Sequence, residues 1–310
     1  MILTLAIGLS LNKTLNHRWD GCPTLPYYSA EDLGLEEEGF SFLDEKYLID
    51  GSRYYVKGLT PKALIVVFHG IGAGRNAYLK EISVLAHEGY LIYSYDNLGC
   101  MRSEGRGPKS LGRVYETQAK FFAWLDKDPK AQGLPRYSFG HSWGGYSSML
   151  STNPKYNIEK CVCLSGLLKP SDACYHSLQK KHLDFLKLPI RLAIRLFSGK
   201  NCNVDAQKIF NQSKAKMLYI VGENDSLVSK EFNGNKLFEG FANSGRFEYK
   251  VIPGSGHGVM YSHEAEKYQA DLIAQGLTRI NSPVGLEMNI DKATAHNPEV
   301  MSSIIHFFEN

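Results

Sequence analysis

The sequence predicts an α/β protein built on a mostly parallel sheet with helices on both faces. Three observations point there. Apolar runs of strand length recur along the chain (ALIVVFHG, YLIYSYD, KCVCLSG, MLYIVGEND), stretches of helical pattern separate them, and a glycine-flanked serine stands where one run ends. A strand buried on both faces reads as an unbroken apolar run rather than an alternation. Runs of this kind alternating with helices feed a parallel sheet.

The elements follow in chain order. MILTLAIGLSLN is apolar for about eleven residues, short of the ~20 a bilayer-spanning helix needs. It has no basic flank and no small-x-small cleavage pattern. Residues 1–39 are therefore expected to form a packed N-terminal segment, with membrane association or export left open. FSFLDEKYLIDGSRYYVKG reads as two or three short strands around a turn at Asp50-Gly51. ALIVVFHG is a buried strand, with a helix expected over about Asn76 to Glu88. YLIYSYD is the next strand and SLGRVYETQAKFFAWLDK the next helix, followed by RYSFG, KCVCLSG, MLYIVGEND and FEYKVIPG.

The alternation breaks once, over residues 169–213. There Pro189 divides HLDFLKL from IRLAIRLF, predicting two short helices inserted over the sheet as a small lid. The core is then 40–168 with 214–310. Near the end, NPEVMSSIIHFF predicts a helix with Asn297 as N-cap, Pro298 in its first turn, and Val300, Ile304 and Phe307 on one face.

Bulk composition excludes several classes. Apolar residues make up 43% and charged residues 22% of the 310, as in an ordinary globular protein. A net charge of +3 without a long basic block argues against a nucleic-acid partner. Of the six cysteines, Cys22, Cys100, Cys161, Cys163, Cys174 and Cys202, none forms a C-x2-C pair, which leaves a metal site without support. Cys161 and Cys163 fall on one face of their strand as buried small hydrophobes. Reduced cysteines in a chain of this length favour the cytoplasm.

Function gathers where the strands of such a sheet end, and Gly140-His141-Ser142-Trp143-Gly144 stands at such a junction. A strand-to-helix bend this tight needs glycine on both sides and leaves Ser142 Oγ exposed at a helix N-terminus. Serine needs a base to activate it and an acid to orient the base. His257, in IPGSGHG, and Asp225, in VGENDSLV, each follow an apolar strand and complete the order Ser, Asp, His. Glu223 competes with Asp225, whereas His263 and His296 lie in polar segments. The N–H of Trp143, next after the serine, is one oxyanion donor. The N–H of Ile71, in the glycine-rich loop FHGIGAG, is the other. His69 is read as a brace for that loop, and His141 as turned away from the reacting side of the bend.

HGIG, YDNLGCMRSEG, GHSWG, GENDSLV and GSGHG, in this order from about Phe40 onward, resemble the α/β-hydrolase superfamily. Within it they look like the lysophospholipase, monoacylglycerol-lipase and serine-aminopeptidase group. The resemblance implies an eight-stranded sheet, a lid after the sixth strand, ester or amide hydrolysis and no cofactor. It implies the same roles for Ser142, Asp225, His257, Ile71 and Trp143. The chain departs from it twice. Met101 stands where relatives usually have glycine, so the loop after Asp96 is expected to follow a different path. About forty residues separate His257 from the last helix; SHEAEKYQADLIAQGL there reads as a further helix of no assigned role.

Residues 169–213 hold eight Lys and Arg against three Asp, a local excess above that of the whole chain. Arg191 and Arg195 form a basic stripe on an otherwise apolar helix, suited to an acyl pocket, an anionic membrane surface, or packing on its own core with solvated charges. A basic lid disfavours substrates with a free amino terminus. The expected activity is cleavage of esters of medium acyl length, a small-molecule or lipid-like substrate. An amidase or peptidase with the same triad is the alternative. A non-catalytic binding protein on this scaffold is the third reading, and its mark, a missing triad member, is not found.

Overall fold

The computed structural model describes residues 4, 17–20, 27–108, 110–171, 184–198, 201, 203–275 and 288–310. The apolar N-terminal stretch, apart from Thr4, lies outside the described residues, as do Cys22, Cys174 and Cys202.

Eight strands form one sheet in the order β1-β2-β4-β3-β5-β6-β7-β8. β1 (Glu36–Asp44) and β2 (Tyr47–Tyr55) are a hairpin, and β2 runs antiparallel to β4 (Tyr90–Tyr95). From β4 through β3 (Ala63–Phe68), β5 (Arg136–His141), β6 (Ile158–Leu164) and β7 (Lys216–Gly222) to β8 (Phe247–Ile252) all pairs are parallel. The chain steps from β3 to one side and then returns to place β5 on the other. That reversal opens a crevice at the carboxyl ends of β3 and β5, where ligands bind in open α/β sheets.

The apolar runs are explained by what covers the sheet. On one face Ile65, Val67, Ile92 and Phe139 pack against α1 (Leu79–His87) and the last helix, α9 (Pro298–Glu309). On the other face Leu64, Val66 and Tyr93 meet Phe121, Phe122 and Leu125 of α2 (Val114–Leu125). Farther along it, Cys161, Cys163, Met217 and Tyr219 pack with Tyr146, Met149 and Leu150 of α3 (Trp143–Ser151). Successive strand residues thus enter different cores, which favours apolar side chains at consecutive positions. Cys161 and Cys163 are buried on one face, as their spacing predicts.

Two expectations need correction. The first turn is at Glu45-Lys46, not Asp50-Gly51, and Glu45 takes φ 57° there. Gly51 sits inside β2, pairing Phe40 and Tyr95, because the Phe40 ring lies where a Cβ would be: one built on Gly51 would stand 2.4 Å from Phe40 Cζ. Asp-Gly marks turns statistically, but here close ring packing uses the glycine. Second, Pro189 does not divide two helices. It falls in the first turn of α4 (Lys187–Ser198), where its missing N–H costs nothing. A second helix in the region, α5 (Ala206–Gln212), starts later, its N-cap Asp205 accepting from Lys208 N. In the loop after Asp96, Met101 adopts the left-handed backbone itself, φ 45°, at a cost of about 1–2 kcal/mol for an L-residue.

Beyond α6 (Gly234–Phe241) and β8, the segment before the last helix contains α7 (His263–Ala274), capped by Ser262, and the short α8 (Ile290–Ala293). Asn297 Oδ1 accepts from the N–H groups of Glu299 and Val300 to start α9, and Val300, Ile304 and Phe307 are buried on one side. No helix among the described residues is long and apolar enough to cross a membrane.

Gly51→Ala should therefore destabilise far more than a surface change. We expect a loss of about 1–3 kcal/mol from overpacking, read as a lowered urea midpoint. An unchanged midpoint would mean the Phe40 ring moves aside freely.

Candidate active site

The bend between β5 and α3 is set by two close approaches. A Cβ on Gly144 would stand 2.0 Å from Phe68 O, and one on Gly140 2.0 Å from Gly144 O. Neither position admits a side chain. Between them Ser142 takes φ 60° and ψ −119°. Its N–H donates to Leu164 O at 2.8 Å, and its carbonyl accepts from Tyr146 N at 3.0 Å. These bonds hold a backbone shape that would otherwise relax.

The loop after β8 brings His257 to it. Nε2 of His257 is 2.8 Å from Ser142 Oγ, and Nδ1 is 2.9 Å from Asp225 Oδ2. Asp225, after β7, uses its other oxygen to accept from Leu227 N at 2.9 Å and Val228 N at 2.8 Å. A carboxylate only accepts, so Nδ1 carries the imidazole proton and Nε2 is free to accept from the serine hydroxyl. Burial works against the charge on Asp225, but the bonds from His257, Val228 and Leu227 outweigh it and hold the carboxyl below its usual range. Such a chain can take a proton from the serine as Oγ attacks an electrophile and return it to a leaving group.

The loop after β3 borders the same serine: a Cβ on Gly70 would stand 3.7 Å from Ser142 Cβ. Ile71 follows at once with an exposed side chain, and Trp143 opens α3 with its indole buried and Nε1 donating to Leu111 O at 2.8 Å. Both lie beside the Ser142 bend. His69 accepts at Nε2 from Asn97 N at 2.9 Å and donates from Nδ1 to Gly70 O at 2.8 Å, bracing two loops, and burial keeps it neutral.

The other candidates lie elsewhere. Glu223 accepts from Gly254 N, His263 contacts Pro253 O and Ser255, and His296 pairs with Glu81.

Two residues hold His257 in place without having been singled out for that work. His141 Nε2 is 2.8 Å from His257 O, a carbonyl, so Nε2 carries the proton; its Nδ1 is 3.1 Å from Tyr78 Oη, which in turn accepts from Gly70 N at 3.0 Å. His141 thereby fastens the His257 backbone to the loop after β3. Glu266 of α7 accepts from Gly256 N at 3.0 and 3.1 Å, one residue before His257. The insert thus braces the His257 loop. Neither pairing has a local sequence signal, because each joins segments far apart in the chain.

Comparisons with known proteins agree with this architecture. Residues 60–196 match the family described as serine aminopeptidase, S33. Human monoglyceride lipase is 34% identical over 110 residues, 35% of each chain. A monkeypox virus monoglyceride lipase homolog is 26% identical over 133 residues, 42% of this chain and 47% of that one. These matches thus span less than half of either relative. Among solved structures, a Pyrococcus furiosus esterase superposes with a TM-score of 0.62 at 18% identity, covering 83% of this chain and 97% of that one. The Pyrococcus horikoshii acylaminoacyl peptidase gives 0.59 at 15% identity, covering 89% and 41%. The chain has the α/β-hydrolase fold. In sequence its likeness is to the monoglyceride-lipase and serine-aminopeptidase group. The sheet is mixed, as is usual for the fold, with β2 pairing antiparallel to both β1 and β4 at one end.

His141 also makes a pH prediction. Burial, and the nearby His257, push it down to about 3 in the fold, whereas an unfolded histidine takes up a proton below about 6.5. The unfolded state therefore gains protons first, so this contribution is complete above about 6.5 and is lost as the pH falls towards 3. The depressed Asp225 carboxyl adds a loss only below the ordinary carboxylate range. His141→Gln retains an N–H for His257 O but cannot titrate. Its urea midpoint should fall less steeply than wild type between pH 6.5 and pH 4.5; parallel curves would show that His141 is not held neutral.

Proposed function

We propose that the protein is a serine hydrolase of carboxylic esters, acting through an acyl-enzyme. The observation that supports this most is the continuous hydrogen-bonded line from Ser142 Oγ through His257 to the buried Asp225. In this reading Ser142 Oγ attacks the ester carbonyl while its proton passes to His257 Nε2. The N–H groups of Ile71 and Trp143 receive the negative charge on the carbonyl oxygen. Collapse expels the alcohol, which takes the proton from His257. Water then enters, gives its proton to the same nitrogen, and releases the acid and free Ser142. Asp225 stays ionised and fixes the tautomer.

Esters are preferred over amides on two grounds. Both curated relatives reported above are named for monoglyceride lipase activity. The basic region 169–213 is a poor neighbour for a substrate amine. The family described as serine aminopeptidase keeps an amide or peptide substrate as the second reading.

The lid helix favours a lipid-like substrate of medium acyl length. Leu188, Leu192 and Leu196 lie four apart along α4 and are exposed, Leu196 at 72%, with Phe185 exposed at 71% just before the helix. Arg191 and Arg195 are exposed as well, while Ile190 and Ala193 are buried. The side chains of Ile194 and Phe197 lie outside the described residues. An outward leucine stripe with arginines beside it suits shallow contact with an anionic lipid surface.

A fluorophosphonate should label Ser142, and p-nitrophenyl butyrate should be hydrolysed. Ser142→Ala should lose both, and Asp225→Asn should lower kcat by roughly 10³–10⁴-fold by leaving the wrong tautomer. A panel of acyl esters of rising chain length set against aminoacyl-naphthylamides separates the two substrate readings. Faster turnover of the naphthylamides would overturn the ester assignment. In the same assays Leu192→Glu with Leu196→Glu should abolish sedimentation with anionic vesicles while butyrate ester turnover persists. Undiminished vesicle binding would remove the lid from the membrane.

A further inference from the structure

The described residues 17–20 form a short strap laid on two loops remote in sequence, those after β3 and β4. Trp19 N donates to Gly99 O at 3.0 Å, and Met101 N donates to Trp19 O at 3.2 Å, a parallel bridge onto the loop after β4. The Arg18 guanidinium donates to three carbonyls of that loop, Met101 O, Ser103 O at 3.0 Å and Gly105 O at 2.8 Å, and also pairs with Asp20. The Trp19 ring, stacked on His17 with centroids 4.7 Å apart, lies against Gly72; a Cβ there would come within 2.9 Å of ring atoms Cε3 and Cζ3.

Gly72 follows Ile71 directly and has φ 72°. Its loop is gripped from several sides. Tyr78 Oη accepts from Gly70 N, and Trp19 covers Gly72. Met101 fills the space at Gly74, where a Cβ would stand 2.2 Å from Met101 Cγ, and Asp96 accepts from Arg75 N at 2.8 Å while pairing with its buried guanidinium. Met101 is where the strap and the loop meet. Its N–H and carbonyl are bonded to Trp19 and Arg18, and its side chain packs on Gly74. A left-handed methionine persists only when its surroundings over-determine it, and the strap supplies that.

We propose that Arg18 and Trp19 are positioning residues for the oxyanion loop, holding the Ile71 N–H where charge develops during attack by Ser142. The inference rests on the serine-hydrolase reading above and deepens it. Removing an oxyanion donor lowers kcat by roughly 10²–10³-fold, and displacing one should cost less.

The test uses the full chain with p-nitrophenyl butyrate and a neutral fluorophosphonate. In Trp19→Ala, kcat and the labelling rate should each fall about 10–100-fold, a fraction of a donor's worth, with KM changed less than about twofold. Trp19→Phe, which keeps a ring over Gly72, should recover most of both. A purely structural strap would lower the melting temperature and leave these rates per folded molecule intact, and that outcome overturns the proposal. So does a change confined to KM. Should Trp19→Ala fail to fold, Arg18→Gln is judged by the same two rates and the same criteria. A wild type inert to the probe sinks the serine-hydrolase reading itself. A reactive wild type with an equally reactive Trp19→Ala sinks the strap alone.

Discussion

Everything at the site depends on one crowded bend. Phe68 O and Gly144 O come so near the turn after β5 that only glycine fits at 140 and 144. With both flanks locked against backbone, Ser142 has no room to choose its conformation and stands at φ 60°. A serine held in so sparsely populated a backbone region costs about 1–3 kcal/mol. Its bonds to Leu164 O and Tyr146 N, each contributing about 1 kcal/mol, offset that. The same registration passes along the sheet. Ser165 N bonds to Ile220 O and Asn224 N to Ser255 O, so the ends of β6, β7 and β8 are tied in turn. The positions of Asp225 and His257 therefore follow from the position of the bend.

Two histidines, with ring centroids 4.8 Å apart, show how surroundings separate roles. His141 faces a carbonyl on one nitrogen and a tyrosine hydroxyl on the other, deeply buried; both nitrogens are committed, and burial opposes a charge. His257 faces a carboxylate on Nδ1 and a hydroxyl on Nε2, and it is partly open to solvent. An imidazolium forming there finds Asp225 already in place. One ring is a strut, and the other joins a serine hydroxyl to a carboxylate. The strut, held neutral by burial, adds no positive charge beside that line.

The sequence made the sheet and the serine bend legible because both are written locally. A strand such as ALIVVF advertises burial on two faces, and glycines two residues either side of a serine advertise crowding. That Asp225 and His257 would come near Ser142 was legible because each closes an apolar strand, and strand ends converge. What escaped was long-range. Asp50-Gly51 looked like a turn, since nothing in the sequence says that Phe40 needs the room. The hold on Met101 was invisible, since residues that constrain it lie more than eighty positions away, at Arg18. His141 and Glu266 went unassigned for the same reason, their partners being chosen by the fold.

About forty residues lie between His257 and the last helix, and the fold uses them. Closing a flexible loop costs free energy that grows only with the logarithm of its length, about 0.6 kcal/mol for each doubling. Lengthening this connection is therefore cheap, and the extra chain can be used. α7 puts Glu266 against Gly256 N, and Asn297 N returns to Met260 O where α9 begins. Hydrogen bonds to a charged group contribute about 1.5–3 kcal/mol, more than the added closure cost. The His257 loop is thus pinned from β7 by the Asn224 N bond to Ser255 O, from α7 by Glu266, and from β5 by His141. A histidine on a flexible loop would need to find Ser142 anew each time; this one is held within hydrogen-bonding distance of it by the fold, so the entropy of bringing the two together is met on folding.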